Sequence, residues 1–235
     1  MVADVISGSS WSFPHPRSQQ EVAFHSYLTT IPLPLPNDVN DVFEWKTPDC
    51  TLNVFNSRAT WEVLRPRQPS QAWHDVVWFK GALPKHAFTM WVANYDRLPT
   101  RSRLISWGLA IPATCPLCAA LPETRDHLFI SCPYTGDIWT QVFARCNPPS
   151  RMFADWNELL SWIRTATSKR KVLLRKLASQ AVIFHVWNQR NNLIHNATAL
   201  SATTVFISLD RELRNLISSR RTKKHFSSLM ALWIR

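Results

Sequence analysis

Apolar residues recur at helical spacing through most of the second half of the chain. Leu173, Leu177, Ala181, Phe184, Trp187 and Ile194 mark one stripe across Lys169–Asn196, which predicts a long amphipathic helix. A last pair of helical segments carries Val205, Phe206, Leu209, Leu213, Leu216 and Ile217. Nearer the middle, Pro84 can open a helix with Phe88, Trp91, Val92 and Tyr95 on one side. Leu98–Thr100 breaks it. Thr100 then caps a short helix carrying Leu104, Ile105 and Trp107, which Gly108 ends. Ile138, Val142 and Phe143 form another helical face. The period falls to two around "TPD", where Phe43 and Trp45 precede the turn and Leu52 and Val54 come after it, so a short hairpin is predicted. Asn56 or Ser57 caps the next helix, which carries Trp61 and Leu64 and stops before Pro66. Residues 1–40 are proline-punctuated and non-periodic, and are expected to be poorly ordered.

The pattern predicts a mainly α protein: a helical domain with a small module embedded in it and a short N-terminal β-hairpin. The chain divides into three segments: a proline-rich 1–40, a module over 41–145, and a basic helical region over 146–235. At 235 residues, 46% of them hydrophobic, the chain can build a real core. It has only four glycines and no GxGxxG or GxxxxGK[ST] run, which argues against a nucleotide-binding loop. Five cysteines, three of them clustered, do not make a secreted disulfide framework. The first residues lack the basic and long apolar regions of a signal peptide, so none is expected, and no apolar run reaches about 18 residues. The expectation is an intracellular protein, nuclear or cytoplasmic, with reduced thiols and no membrane segment.

The net charge of +11 is unevenly placed. Residues 1–163 hold 13 Lys+Arg against 14 Asp+Glu, whereas residues 164–235 hold 14 against 2. A basic C-terminal third points to an acidic partner, RNA or DNA being the usual one, although a solvated basic face reads the same way. The phosphate-contacting candidates are Lys169, Arg170, Lys171, Arg175, Lys176, Arg220, Arg221, Lys223 and Lys224.

The most informative run is "CPLCAALPETRDHLFISC". Cys115, Cys118, His127 and Cys132 have the spacing C-x2-C-x8-H-x4-C. Three thiolates and one imidazole are a standard tetrahedral set for a single structural Zn²⁺, with no open position. Pro116 stiffens the C-x2-C knuckle. His127 and Cys132 are five residues apart, roughly 500° around an ideal helix, so an unbroken α-helix cannot aim both at one ion. Thr124 is expected to cap a short helix bearing His127. Pro133 biases Cys132 out of helical geometry and lets it swing back. Leu128 and Phe129 would pack beneath the site. The rival readings are a thioredoxin-type redox pair, which lacks a surrounding βαβ pattern and leaves His127 and Cys132 unexplained, and unrelated buried cysteines with a satisfied histidine. Cys50 and Cys146 have no partner at ligand spacing and read as free thiols. His86 could support the metal site, touch a phosphate, or be an ordinary helix-start histidine. No acid/base pair and no nucleophile with its base is evident.

The segments "WFKGALPKHAFTMWVANYDRLPTRSRLISWGL", "CPLC", "ETRDHLFISC" and "IW", in that order, resemble the zinc-binding domain that follows the reverse transcriptase in plant non-LTR (LINE-type) retrotransposons. The likeness runs from about Asp41 to Trp139, and "VWNQRNNLIHN" resembles the tail after that domain. It implies that Cys115, Cys118, His127 and Cys132 are the metal ligands. It also implies nucleic-acid contact beside a polymerase, with a reverse transcriptase polypeptide as a candidate partner. The early hairpin departs from the family, which often has a glycine where this chain reads "TPDCTL". No Tyr-x-Asp-Asp motif, endonuclease domain or ribonuclease H acid set is present. The expectation is therefore a non-catalytic C-terminal portion of such an element. The alternative is an interaction scaffold or a relic in which zinc only holds the fold.

Overall fold

The computed structural model describes residues 2–34, 44–47, 50–65, 68–146 and 151–234. Packing divides the chain into two units, Met1–Gln68 and Pro69–Arg235.

The first unit is built from short elements. Strands β1 (Ile6–Ser7) and β2 (Ser10–Trp11) pair around Gly8. Helix α1 (Gln19–Leu28) begins at Ser18, whose side chain accepts from the Glu21 N–H. Residues 6–28, expected to be irregular, thus hold a hairpin and a helix, because the Ser18 cap starts a helix where hydrophobic periodicity gives no signal. Strands β3 (Trp45–Thr47) and β4 (Cys50–Leu52) form the predicted hairpin, with Trp45 opposite Leu52. Asn56 caps α2 (Ser57–Leu64) by accepting from the Ala59 N–H. Phe43, Pro48, Asp49 and Pro66 lie outside the described residues. Among the described residues of this unit none is buried.

The second unit is a helical assembly around one long element. Its helices are α3 (His74–Val77), α4 (Pro84–Asn94), α5 (Arg101–Ser106), α6 (Pro133–Cys146), α7 (Trp156–Arg164), α8 (Lys169–Asn196), α9 (Ala202–Ser219) and α10 (Leu229–Trp233). Helix α8 starts at Ser168, whose hydroxyl accepts from the Lys171 N–H, and ends at Ala197 in the left-handed region. Helices α3, α4, α6, α7, α9 and α10 all pack on it. Its burial therefore runs round the helix: Leu174, Leu177, Ala178, Ala181, Val182, Ile183 and Val186 are all inside. The single predicted stripe is too narrow, and Ile194 at its end is exposed.

Helix α9 buries the six predicted residues, from Val205 to Ile217, and α6 buries Ile138, Val142 and Phe143 as predicted. Helix α4 turns the other way. It buries His86, Ala87, Thr89, Met90 and Ala93, and leaves Phe88 and Tyr95 on the surface. Small residues at 87 and 93 allow close approach to α8, which outweighs the area offered by the aromatic face. Trp139, Phe143, Phe153 and Trp162 form an aromatic cluster with mostly edge-on contacts near α6 and α7. Because α6 packs on α8 and α9, the zinc segment and the basic C-terminal region share one core. Among the described residues no helix is long and apolar enough to cross a membrane.

Candidate metal centre

The Cys-Pro-Leu-Cys run folds into a tight loop closed by backbone bonds. The Cys115 N–H donates to Leu121 O (2.7 Å), the Ala119 N–H to Cys115 O (2.8 Å) and the Glu123 N–H to Ala113 O (2.9 Å). Ala119 sits at φ 55°, a left-handed conformation that a residue with a Cβ adopts only under strain.

The second half starts as the sequence predicts. Thr124 Oγ1 accepts from the His127 N–H at 3.0 Å, and the Leu128 N–H donates to Thr124 O. The chain then departs from α-helical geometry. Residues His127–Ser131 form a single π turn, closed by the Cys132 N–H donating to His127 O at 2.7 Å. The wider π turn, with its i→i+5 hydrogen bond, brings Cys132 closer round to the side of His127 than an unbroken α-helix would. Cys132 is extended at φ −66°, ψ 127°, as its position before Pro133 predicts, and α6 begins there. Pro133 has no N–H to give the carbonyls behind it. Thr135 Oγ1 and Trp139 Nε1 take their place, donating to Leu128 O (2.7 Å) and Phe129 O (2.8 Å). Leu128 and Phe129 are fully buried beneath the cluster.

The Sγ atoms of Cys115, Cys118 and Cys132 and a ring nitrogen of His127 lie within 4.8 Å of one another. Cys118 Sγ and His127 Nε2 are 3.3 Å apart. A tetrahedron with zinc bonds of about 2.0–2.3 Å has edges of roughly 3.3–3.8 Å, so the Cys118–His127 separation already equals such an edge and the four donors are close enough to share one ion. Ser131 Oγ stands 3.4 Å from His127 Nδ1, where it can fix the tautomer that leaves Nε2 for the metal. The Cys115 thiol is shifted down, first by the Cys132 S–H donating to it and also by the N–H groups of Cys118 and Leu117. Cys132, the donor of that pair, is shifted up. One proton shared between two buried sulfurs is the arrangement a divalent cation displaces. With Cys115 and Cys132 fully buried and His127 nearly so, the donor set is closed, as in structural sites.

One residue pair not singled out from sequence ties this loop to the core. Glu123 is fully buried, and its carboxylate accepts from Arg190 Nε (2.7 Å) and Nη2 (2.8 Å). The same carboxylate accepts the Arg101 N–H at 2.7 Å, so Glu123 rather than Thr100 caps α5. Glu123 lies in the run "ETRDHLF" and Arg190 in "VWNQRNN". Their pairing across 67 residues has no local signal.

The basic candidates separate into groups. Lys169, Arg170, Lys176, Lys223 and Lys224 line one cavity of about 730 Å³, joined by Lys80 and His225. Its apolar wall is Phe79, Val172, Leu173 and Phe226. Lys176 is already paired with Asp75, through Oδ2 at 3.0 Å. Arg220 donates to Gly81 O and lies over Phe226. Lys171 is half-buried and Arg221 exposed, and neither lines the cavity. Arg175 is buried, with Nη1 donating to Trp162 O (2.6 Å) and Nε to Cys146 O (3.2 Å), so it satisfies carbonyls at the ends of α7 and α6.

His86 does not join the zinc ligands; it meets Glu212 instead, at 3.1 Å. Burial pushes its imidazole down to about 4. Cys146 is a free thiol pushed up to about 12 by burial. The side chain of Cys50 lies outside the described residues.

No curated protein and no solved structure matches the chain. A family model described as zinc-binding in reverse transcriptase matches residues 55–139, a span that holds Cys115, Cys118, His127 and Cys132.

Proposed function

We propose that this chain is a retroelement-derived accessory domain, of the plant LINE type, that binds the phosphate backbone of RNA or DNA next to a reverse transcriptase. Zinc holds its central loop, and the domain carries out no catalysis of its own. When bound, the ion supplies fold energy: Cys115, Cys118, His127 and Cys132 hold it, Ser131 orients the imidazole, and Leu128 and Phe129 keep water away.

The observation behind the nucleic-acid reading is the cavity at the start of α8. Lys169 and Arg170 come from the first turn of that helix, Lys223 and Lys224 from the turn after α9, and Lys80 from the segment before α4. Cations gathered from three segments around an apolar wall suit a polyanion with flat bases better than a solvated surface. Phosphate contacts of this kind give affinity without base preference.

Fluorescence-anisotropy titration of the zinc-loaded chain with short oligonucleotides tests the reading. Binding should be present at about 50 mM salt and weaken steeply by about 200 mM. Lys223→Ala should reduce the salt slope by about one for either strand type. Absence of binding at low salt ends the proposal. The interaction-scaffold alternative draws on Val54, Phe55, Trp61 and Leu64, all exposed on the first unit.

A further inference from the structure

We propose that His86, His185 and Glu212 form a second divalent-metal site, of the zinc class, with water at its open position. The site is separate from the cysteine cluster in residues and chemistry, and it does not depend on the nucleic-acid reading. His86 Nε2 and His185 Nε2 converge on the same oxygen, Glu212 Oε2, at 3.1 and 2.8 Å. One donor atom from each of the three residues lies within 4.8 Å of the others. A four-coordinate ion with bonds of about 2.0–2.1 Å needs ligand separations near 3.3 Å, so each imidazole–carboxylate distance would have to open by only a few tenths of an ångström.

The donors sit on rigid elements. His86 is on α4, His185 on α8 and Glu212 on α9, and both α4 and α9 pack on α8. His86 is buried, with its ring 4.5 Å from Phe184, so packing fixes its direction. Lys85 Nζ holds the other carboxylate oxygen, Oε1, at 2.5 Å. That contact leaves Oε2 facing the imidazoles and orients it, the part usually played by an outer partner. His185 and Glu212 also line a cavity of about 680 Å³ with Lys85, Ser208, Arg211 and Asn215. Two imidazoles, one carboxylate and a position open to a cavity make a three-ligand set, unlike the closed cysteine cluster. Nitrogen and oxygen donors in this number suit zinc or a neighbouring first-row ion better than magnesium or calcium.

Cobalt(II) titration of the metal-free full chain separates the two sites. The cysteine cluster gives thiolate-to-metal charge-transfer absorption, whereas an imidazole–carboxylate site gives only weak visible bands. We expect two equivalents in the wild-type chain, the second without charge transfer. In His185→Ala and Glu212→Ala the second equivalent should disappear while the charge-transfer band stays, which also shows that the fold survives. A wild-type chain that takes only the charge-transfer equivalent overturns the proposal and assigns the three side chains to a hydrogen-bonded link between helices. A second equivalent undiminished in both variants overturns it as well.

Discussion

Glu123 and Arg190 face each other inside the protein as a two-pronged ion pair, at 2.7 and 2.8 Å, with the Arg190 guanidinium also donating to Pro99 O at 3.1 Å. The contact joins the cysteine-bearing loop to the long helix α8 across 67 residues of sequence. A carboxylate this deep is tolerable because three N–H groups meet it.

Removing one member of that pair leaves a buried charge alone. Glu123→Ala or Arg190→Ala should lower stability by about 3–5 kcal/mol. The double variant Glu123→Leu with Arg190→Met should recover a large part of the loss. Urea unfolding of the zinc-loaded chain measures both. Equal losses in single and double variants would show that the pair's charge is not what matters.

Ala119 offers the opposite sign. Its left-handed conformation costs about 1–2 kcal/mol, and a glycine there loses only about 0.5–1 kcal/mol to unfolded-state entropy. Ala119→Gly should therefore stabilise the zinc-loaded fold by about 0.5–1 kcal/mol, read as a higher midpoint in thermal or urea unfolding.

Gly81 cannot accept a side chain. Its φ is 106°, and a Cβ there would stand 2.6 Å from the buried Phe226 ring. Gly81→Ala should cost about 2–4 kcal/mol from strain and overpacking together. It should also weaken oligonucleotide binding, because Phe226 lines the cationic cavity.

Asp75 carries a pH signature. Burial pushes its carboxyl up, but the hydrogen bonds and charges of Lys176 and Arg164 outweigh that and leave it below its ordinary value. A carboxyl held low in the fold contributes stability above its unfolded pKa, and the contribution is lost as pH falls through the folded value. The group is half exposed, so its effect is under about 1 kcal/mol. Asp75→Asn should show that small deficit at neutral pH, and the gap to wild type should narrow at an acid pH below the ordinary carboxylate range. Paired unfolding curves at the two pH values provide the check.

The sequence made some of this legible. The C-x2-C-x8-H-x4-C spacing, the Thr124 cap and the break at Pro133 are local chemistry, and they stand where a reading of the chain puts them. The α9 stripe is legible because one face meets the core and the other meets water. Other features depend on what surrounds the element. The aromatic face of α4 misleads, because small residues on its other side let the helix approach α8 closely. Arg175 reads as a surface cation by type, yet it is buried against carbonyls that helix ends leave open. The π turn is invisible to a 3.6-residue period, although the impossible geometry of His127 and Cys132 on an α-helix is its trace. Glu123 and Arg190 carry no local sign of each other.

The central claim is that three sulfurs and one imidazole hold a single ion that orders the loop. Cobalt(II) substitution with hydrogen exchange tests it most directly. The account predicts a thiolate charge-transfer band that saturates at one equivalent in the wild-type chain. The band should fail to form at equimolar cobalt in Cys118→Ala and Cys132→Ala, with faster exchange across residues 113–136. A wild-type chain without that band, or variants that keep it in full, would contradict the account.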